Sequence, residues 1–173
     1  IVYIPGNHDH ELHAFAGVKL GGIEIANHAI HTTRTGRRML VTHGDQFDAV
    51  MGRRSLGVRL GGFACRRLLT LNRFVHWLHD VFDRPYWSLA QHLKSRFPGA
   101  KGYVERYQNA TLGAAREGGV DGVVCGHIHR AELTEVDGML YCNDGDWVES
   151  CTTLTEDFNG RLSLLRWSQS KEV

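Results

Sequence analysis

Three short motifs carry the side chains best suited to chemistry: Gly6-Asn7-His8-Asp9, Thr42-His43-Gly44-Asp45 and Gly126-His127-Ile128-His129. Neutral imidazole nitrogens and amide oxygens suit Mn, Fe, Zn or Ni, and no Cys falls inside the motifs to suggest a sulfur-rich site. Their glycines let the backbone turn sharply and approach a metal or phosphate closely. His127 and His129 would share a face on an extended segment and diverge in a loop. Each motif follows an apolar run: Ile1-Val2-Tyr3-Ile4, Met39-Leu40-Val41, and Val120 to Cys125. In open α/β sheets, ligands bind outside the carboxyl ends of the strands. The pattern therefore predicts three buried strands delivering Asn and His to one sheet edge.

The rest of the chain predicts the frame around that edge. Gly22-Ile23-Glu24-Ile25 and His28 to Thr33 alternate as strands do, and Arg34-Thr35-Gly36 turns into the strand before His43. From about Arg53 to Gly118 the apolar spacing becomes helical, through Leu60, Phe63, Ala64, Leu68, Leu71, Val75, Leu78 and Phe82. Breaks fall at Asp83-Arg84-Pro85 and Pro98-Gly99, and a final helix is expected from about Tyr103 to Glu117. Asp137-Gly138 and Asn159-Gly160 are hairpin signals joining strands in the tail.

Size and composition predict one domain over residues 1–173, with a helical insert at about 53–118. The net charge of +1 gives no reason to expect broad nucleic-acid binding, and no apolar run is long enough to span a bilayer. Charge is unevenly placed, however. Between Ala49 and Tyr107 there are eleven Lys and Arg against three Asp and Glu, so the insert carries +8 and the remainder −7. Such an insert reads either as a solvated helical face or as a basic, apolar-backed cap for a phosphorylated substrate. A basic amphipathic helix also suits an anionic membrane surface. Cys65, Cys125, Cys142 and Cys151 lack C-x-x-C spacing and read as reduced structural thiols.

In their order, GNHD, THGD and GHIH resemble the last three elements of the calcineurin-like metallophosphoesterase pattern, and the resemblance spans almost the whole chain. It implies an α/β fold, a β-sandwich flanked by helices, with a two-metal phosphoesterase site. The family's earlier D-x-H and G-D-x-x-D elements have no counterpart upstream of Ile1, so the chain reads as the C-terminal portion of such a domain, inactive by itself. Gly44-Asp45-Gln46-Phe47-Asp48 matches the second element in form, but it follows GNHD and overlaps the histidine loop; it reads as coincidence. By position, the resemblance implies Asn7, His43 and His127 as ligands of one ion and His129 of the other. His8 is the implied acid that protonates or stabilises the leaving oxygen, with Asp9 orienting its ring. The implied cofactors are two divalent ions, Mn²⁺ first, with Fe or Zn as alternatives.

The helical insert and the tail Tyr141-Cys142-Asn143-Asp144-Gly145-Asp146-Trp147-Val148 are similar to the UDP-2,3-diacylglucosamine diphosphatase branch. That likeness implies cleavage of the pyrophosphate of a UDP-linked diacyl sugar in lipid A synthesis. It also implies a cytoplasmic protein, peripheral at the inner membrane face. Lys94 and Lys101 are then candidates for holding the diphosphate, and Leu60, Phe63, Phe74 and Trp77 for an acyl groove. Members of the branch read GNRD where this chain has His8, the residue of the wider superfamily. A phosphodiesterase or phosphomonoesterase acting on soluble substrates, or a non-catalytic metal-binding remnant, are the alternatives.

The other polar residues have plainer readings. His10 and His13 are expected in an exposed loop, and His28 and His31 at solvent or in local pairs. His76 and His79 share a helix face but lack a third ligand. Asp144 and Asp146 read as carboxylate chemistry or as a turn, and Arg130 as a phosphate contact or a surface salt bridge.

Overall fold

The structure is a computed structural model, and it describes residues 1–50, 100–148 and 150–167. The chain divides into two compact units, one of Ile1–Ala49 with Tyr107–Val173 and the other of Val50–Arg106. The insert's break points, the acyl-groove candidates, Lys94, His76, His79 and Cys65 lie outside the described residues.

The first unit is mixed α/β, as the alternation of strand and helix patterns predicts. Its main element is a five-stranded sheet in the order β4-β5-β6-β8-β7. The strands are β4 (Ala29–Thr32), β5 (Arg38–Val41), β6 (Gly122–Cys125), β7 (Glu132–Val136) and β8 (Met139–Asn143). Strands β5, β6 and β8 run parallel, with Leu40 opposite Val123 and Val124 opposite Cys142. At the edges, β4 and β7 pair antiparallel with their neighbours. Central parallel strands are covered on both faces and so read as continuous apolar runs, which explains Val120 to Cys125. Asp137 (φ 50°) and Gly138 (φ 78°) turn β7 into β8, both with the positive φ that a tight hairpin of this hand requires.

The remaining described strands form two smaller sheets. One holds β1 (Val2–Tyr3), β2 (Lys19–Leu20) and β3 (Ile23–Ile25), in the order β1-β3-β2. The other is the hairpin of β9 (Thr152–Glu156) and β10 (Leu162–Arg166) around Asn159-Gly160. Glu156 ties this hairpin to the β4–β5 turn, accepting from the Arg34 backbone N–H at 2.7 Å and from the His31 ring at 2.6 Å. The Arg34 amide and the His31 ring, in that order, hold the Glu156 carboxyl below its ordinary range. His31 is thus exposed, as expected, but its partner lies far along the chain.

β1 is the clearest departure. The apolar run Ile1 to Ile4 predicts a buried strand, whereas Val2 and Tyr3 are exposed and pair only with β3, in parallel. Composition alone does not distinguish a central strand from a narrow ribbon edge.

Two α-helices, α1 (Gln46–Val50) and α2 (Ala100–Glu117), and a short 3-10 helix at His10–Phe15, where a loop was expected, complete the described elements; α2 lies close to the helix expected at Tyr103 to Glu117. Tyr107, Thr111, Leu112 and Ala115 lie on one stripe of α2 and are buried. They share the core with Met39, Val123, Tyr141 and Cys142. Cys125 and Cys142 are buried free thiols and Cys151 is a half-buried one, in line with the structural reading. Burial pushes the Cys125 thiol up to about 11 and the Cys142 thiol up to about 12, so neither is primed as a nucleophile. Among the described residues, no helix is long and apolar enough to cross a membrane.

Candidate metal centre

Strands β5, β6 and β8 end at the same edge of the sheet, and the loops leaving them are Thr42–Asp45, Gly126–His129 and Asp144–Asp146. The loop after β1 joins them through His43, whose Nε2 stands 3.1 Å from Asn7 Oδ1. His43 and His127 face each other edge to face, with ring centroids 5.3 Å apart. Two of the three expected strands, β5 and β6, therefore end at one sheet edge, and the loop after β1, from a separate sheet, brings Asn7 to His43 and His127.

Local sequence explains how the loops come so close. Gly6 passes directly over the His43 ring: a Cβ added at Gly6 would lie 2.5 Å from Nε2 and 2.6 Å from Cε1. Gly44 has φ 103°, a conformation that L side chains rarely adopt, and the Tyr107 hydroxyl occupies the space its Cβ would need. Tyr107 also donates to the Gly126 carbonyl at 3.3 Å, so one buried phenol braces both histidine loops. Asn143, fully buried at the end of β8, donates to the same carbonyl at 2.8 Å and accepts from the Gly145 N–H at 3.1 Å. His127 (φ 65°) and His129 (φ 54°) are both left-handed, a conformation that costs energy away from glycine and is concentrated at functional loops.

The structure adds Asp48, which sequence reasoning set aside. Asp48 Oδ2 lies 2.8 Å from His127 Nε2, with the ring largely buried and the carboxylate partly exposed. The signal was the Gly-Asp-x-x-Asp spacing. Gln46 begins α1, and the first helical turn directs Asp48 back toward the loop after β6.

Placement of the other expected residues differs more. His8 is exposed and makes no hydrogen bond among the described residues. Asp9 does not orient the His8 ring: its Oδ1 accepts from the Gly6 N–H at 2.7 Å and its Oδ2 from the Tyr3 hydroxyl. Those bonds, the Tyr3 one first, hold the Asp9 carboxyl below its ordinary range, so Asp9 braces its own loop. His129 stands beside Asp146, with Nδ1 at 3.7 Å from Oδ2. Arg130 pairs with Glu132 at 3.4 Å, in keeping with the second of its two readings, a surface salt bridge. His13 meets Asn27 at 2.8 Å, and His10 stacks edge-on with His13. Lys101 lies in the first turn of α2.

Electrostatics favour neutral ligands at the centre of the group. Burial first, and then the neighbouring His127 ring, hold the His43 imidazole below its ordinary value. A neutral imidazole is the ligating form. Burial, reinforced by the Asp146 charge, pushes Asp144 up to about 6 although the residue keeps an exposed edge.

Donor chemistry and spacing fit a divalent ion in pairs. Two ligands at right angles on an ion with bonds of about 2.1 Å stand about 3 Å apart. Asn7 with His43, at 3.1 Å, and His127 with Asp48, at 2.8 Å, match that separation. Among the described residues, no three of His, Cys, Asp and Glu converge into a ready cage.

No protein-family profile matches the chain, and no curated protein matches it in sequence. A solved structure described as a novel archaeal phosphodiesterase is similar over 95% of this chain and 67% of that one, with 13% identity and a TM-score of 0.41. So faint a likeness assigns no activity to this chain.

The Gly6 contact makes a direct prediction. A Gly6→Ala variant is expected to displace the His43 ring and to lose about 1–3 kcal/mol of stability, the usual cost of overpacking. Chemical denaturation reads the stability, and a Mn²⁺ titration of the same variant should show weakened binding. Unchanged stability and unchanged Mn²⁺ affinity together would mean that the close passage of Gly6 is unimportant.

Proposed function

We propose that this chain is part of a metal-dependent phosphoester hydrolase. One observation carries the proposal: loops from separate strand ends bring Asn7 to His43 and Asp48 to His127, with the two imidazoles face to edge. Asn and His at such an edge are the donors that Mn, Fe or Zn favours, and the motif order GNHD, THGD, GHIH supports the same reading. Bound divalent ions would supply charge neutralisation at the phosphoryl oxygens and a hydroxide nucleophile at neutral pH. Asn7, His43, Asp48 and His127 are the residues that would hold those ions, with His129 on the same loop as His127. His8, exposed and next to Asn7 in the chain, is in this proposal the group that gives a proton to the departing oxygen.

For substrate, we propose a nucleotide-linked acylated sugar cleaved at its pyrophosphate. Support comes from the +8 charge of the Ala49–Tyr107 segment and from the resemblance of the insert and tail to the UDP-2,3-diacylglucosamine diphosphatases. Lys94 and Lys101 are the diphosphate contacts in this proposal, and the basic segment is the surface that meets an anionic membrane. Mn²⁺-dependent release of UMP from a UDP-diacyl sugar tests it. Turnover of soluble diesters with no gain from acyl chains would replace the lipid-linked substrate with a soluble one.

His8 has its own signature. His8→Ala is expected to keep Mn²⁺ binding and to slow esters of poor leaving groups by about 10²-fold or more, while sparing nitrophenolate esters. Rates compared across a series of leaving groups decide it, and equal slowing for all of them would remove His8 from the acid's role.

A further inference from the structure

Asp146 is an unusual carboxylate in this chain. Its side chain is only 4% exposed, yet it contacts an imidazole that is 47% exposed. Burial of a carboxylate is costly unless hydrogen bonds satisfy it. Here Oδ1 accepts from the backbone N–H groups of Val148, at 2.8 Å, and Ser150, at 3.2 Å. Oδ2 accepts from the Ser150 hydroxyl at 2.9 Å and faces His129 Nδ1 at 3.7 Å. The carboxylate is thus fixed by the loop after β8 and aimed at a residue of the neighbouring loop after β6. Its contact with His129 is ionic in reach rather than a closed hydrogen bond.

His129 needs such a partner. It sits at φ 54°, half exposed, and nothing in a left-handed loop residue by itself selects which ring nitrogen carries the proton. A fixed negative charge on the Nδ1 side selects the Nδ1–H tautomer and leaves the lone pair on Nε2. Carboxylates that hold the far nitrogen of a ligating histidine act in this way, and their loss typically weakens metal binding.

We propose that Asp146 is a positioning residue for His129, holding the Nδ1 edge so that Nε2 is the atom offered to a divalent ion. The inference rests on the metal-centre reading for the identity of that ion, but the ring contact does not depend on it. The turn reading of Asn143-Asp144-Gly145-Asp146 holds for Asp146 through Oδ1, and in this proposal Oδ2 positions His129.

The test uses Asp146→Asn, which keeps an oxygen for the Val148 and Ser150 amides but turns the group facing His129 from acceptor to donor. Nitrogen-15 NMR of the histidine rings in the metal-free chain, in mildly alkaline buffer, should show His129 as the Nδ1–H tautomer. In Asp146→Asn it should switch to Nε2–H, and Mn²⁺ affinity should fall by about 10- to 100-fold. Ser150→Ala, which loosens the turn but keeps the charge, should leave the tautomer as in the parent. A parent His129 already in the Nε2–H form would overturn the proposal without any variant being needed. A tautomer switch with unchanged Mn²⁺ affinity would overturn the metal-directed role. A parent chain that binds no Mn²⁺ would overturn the metal-centre reading, while the ring tautomer would still decide the Asp146 contact on its own.

Discussion

Replacing His43 by alanine is expected to abolish phosphoester hydrolysis, with a loss on the order of 10³-fold or more, about 4 kcal/mol of barrier. His43 is the hinge of the group: it meets Asn7 on one side at 3.1 Å and stacks edge-on with His127 on the other. Burial and the neighbouring His127 ring hold its imidazole below the ordinary value, which favours the neutral, ligating form. Removal also leaves the Gly6 passage without the ring it was shaped around. Steady-state kinetics at saturating Mn²⁺ check the loss. Addition of imidazole should restore part of the rate if the missing group is the ligand rather than a packing element. Retention of more than a tenth of the parent rate would place the chemistry elsewhere.

Asp48→Asn is expected to be nearly as severe, at about 10²-fold in turnover with a parallel loss of Mn²⁺ affinity. The substitution keeps size and one oxygen but removes the charge that faces His127 Nε2 at 2.8 Å. Whether Asp48 ligates directly or holds the ring, the neutral amide satisfies neither role fully. Asp45→Asn, three residues earlier, whose charge acts on His43, is the comparison variant and should lose clearly less than Asp48→Asn. If the two variants behave alike, Asp48 has no special part in the site.

Asp48 also shows where sequence reasoning stops. Gly-Asp-x-x-Asp was visible, but its place after GNHD made it look accidental. Only the turn of α1 and the parallel pairing of β5 with β6 bring position 48 to position 127, a contact across 79 residues. By contrast, β4, β5, β6 and α2 were legible because apolar period and flanking turns specify them locally. The Asp137-Gly138 hairpin was legible because its two positive φ values demand those residue types. β1 misled for the opposite reason: an apolar tetrapeptide states its preference for a strand but not which neighbour it will find. The same limit applies to Asp9, whose adjacency to His8 suggested orientation of the ring while the fold directs its oxygens to Gly6 and Tyr3.

The site itself was half legible. That His43 and His127 share an edge follows from the polarity of β5 and β6, whereas Asn7 arrives from a strand of a separate sheet, which strand polarity does not predict. The braces behind them, Tyr107 from α2 and Asn143 from β8, were not legible, since each acts through a backbone carbonyl that any residue provides. Asp146 lay between the two cases. Its turn chemistry could be read from Asn, Asp and Gly in succession, but its partner in the adjacent loop could not.

Calorimetric titration of Mn²⁺ into the metal-free chain, repeated with His43→Ala and Asp48→Asn, tests the central claim most directly. The account predicts saturable binding by the parent chain, abolished by His43→Ala and weakened by about 10- to 100-fold in Asp48→Asn. No binding by the parent, or binding of equal strength in all three proteins, would contradict a metal centre at these loops.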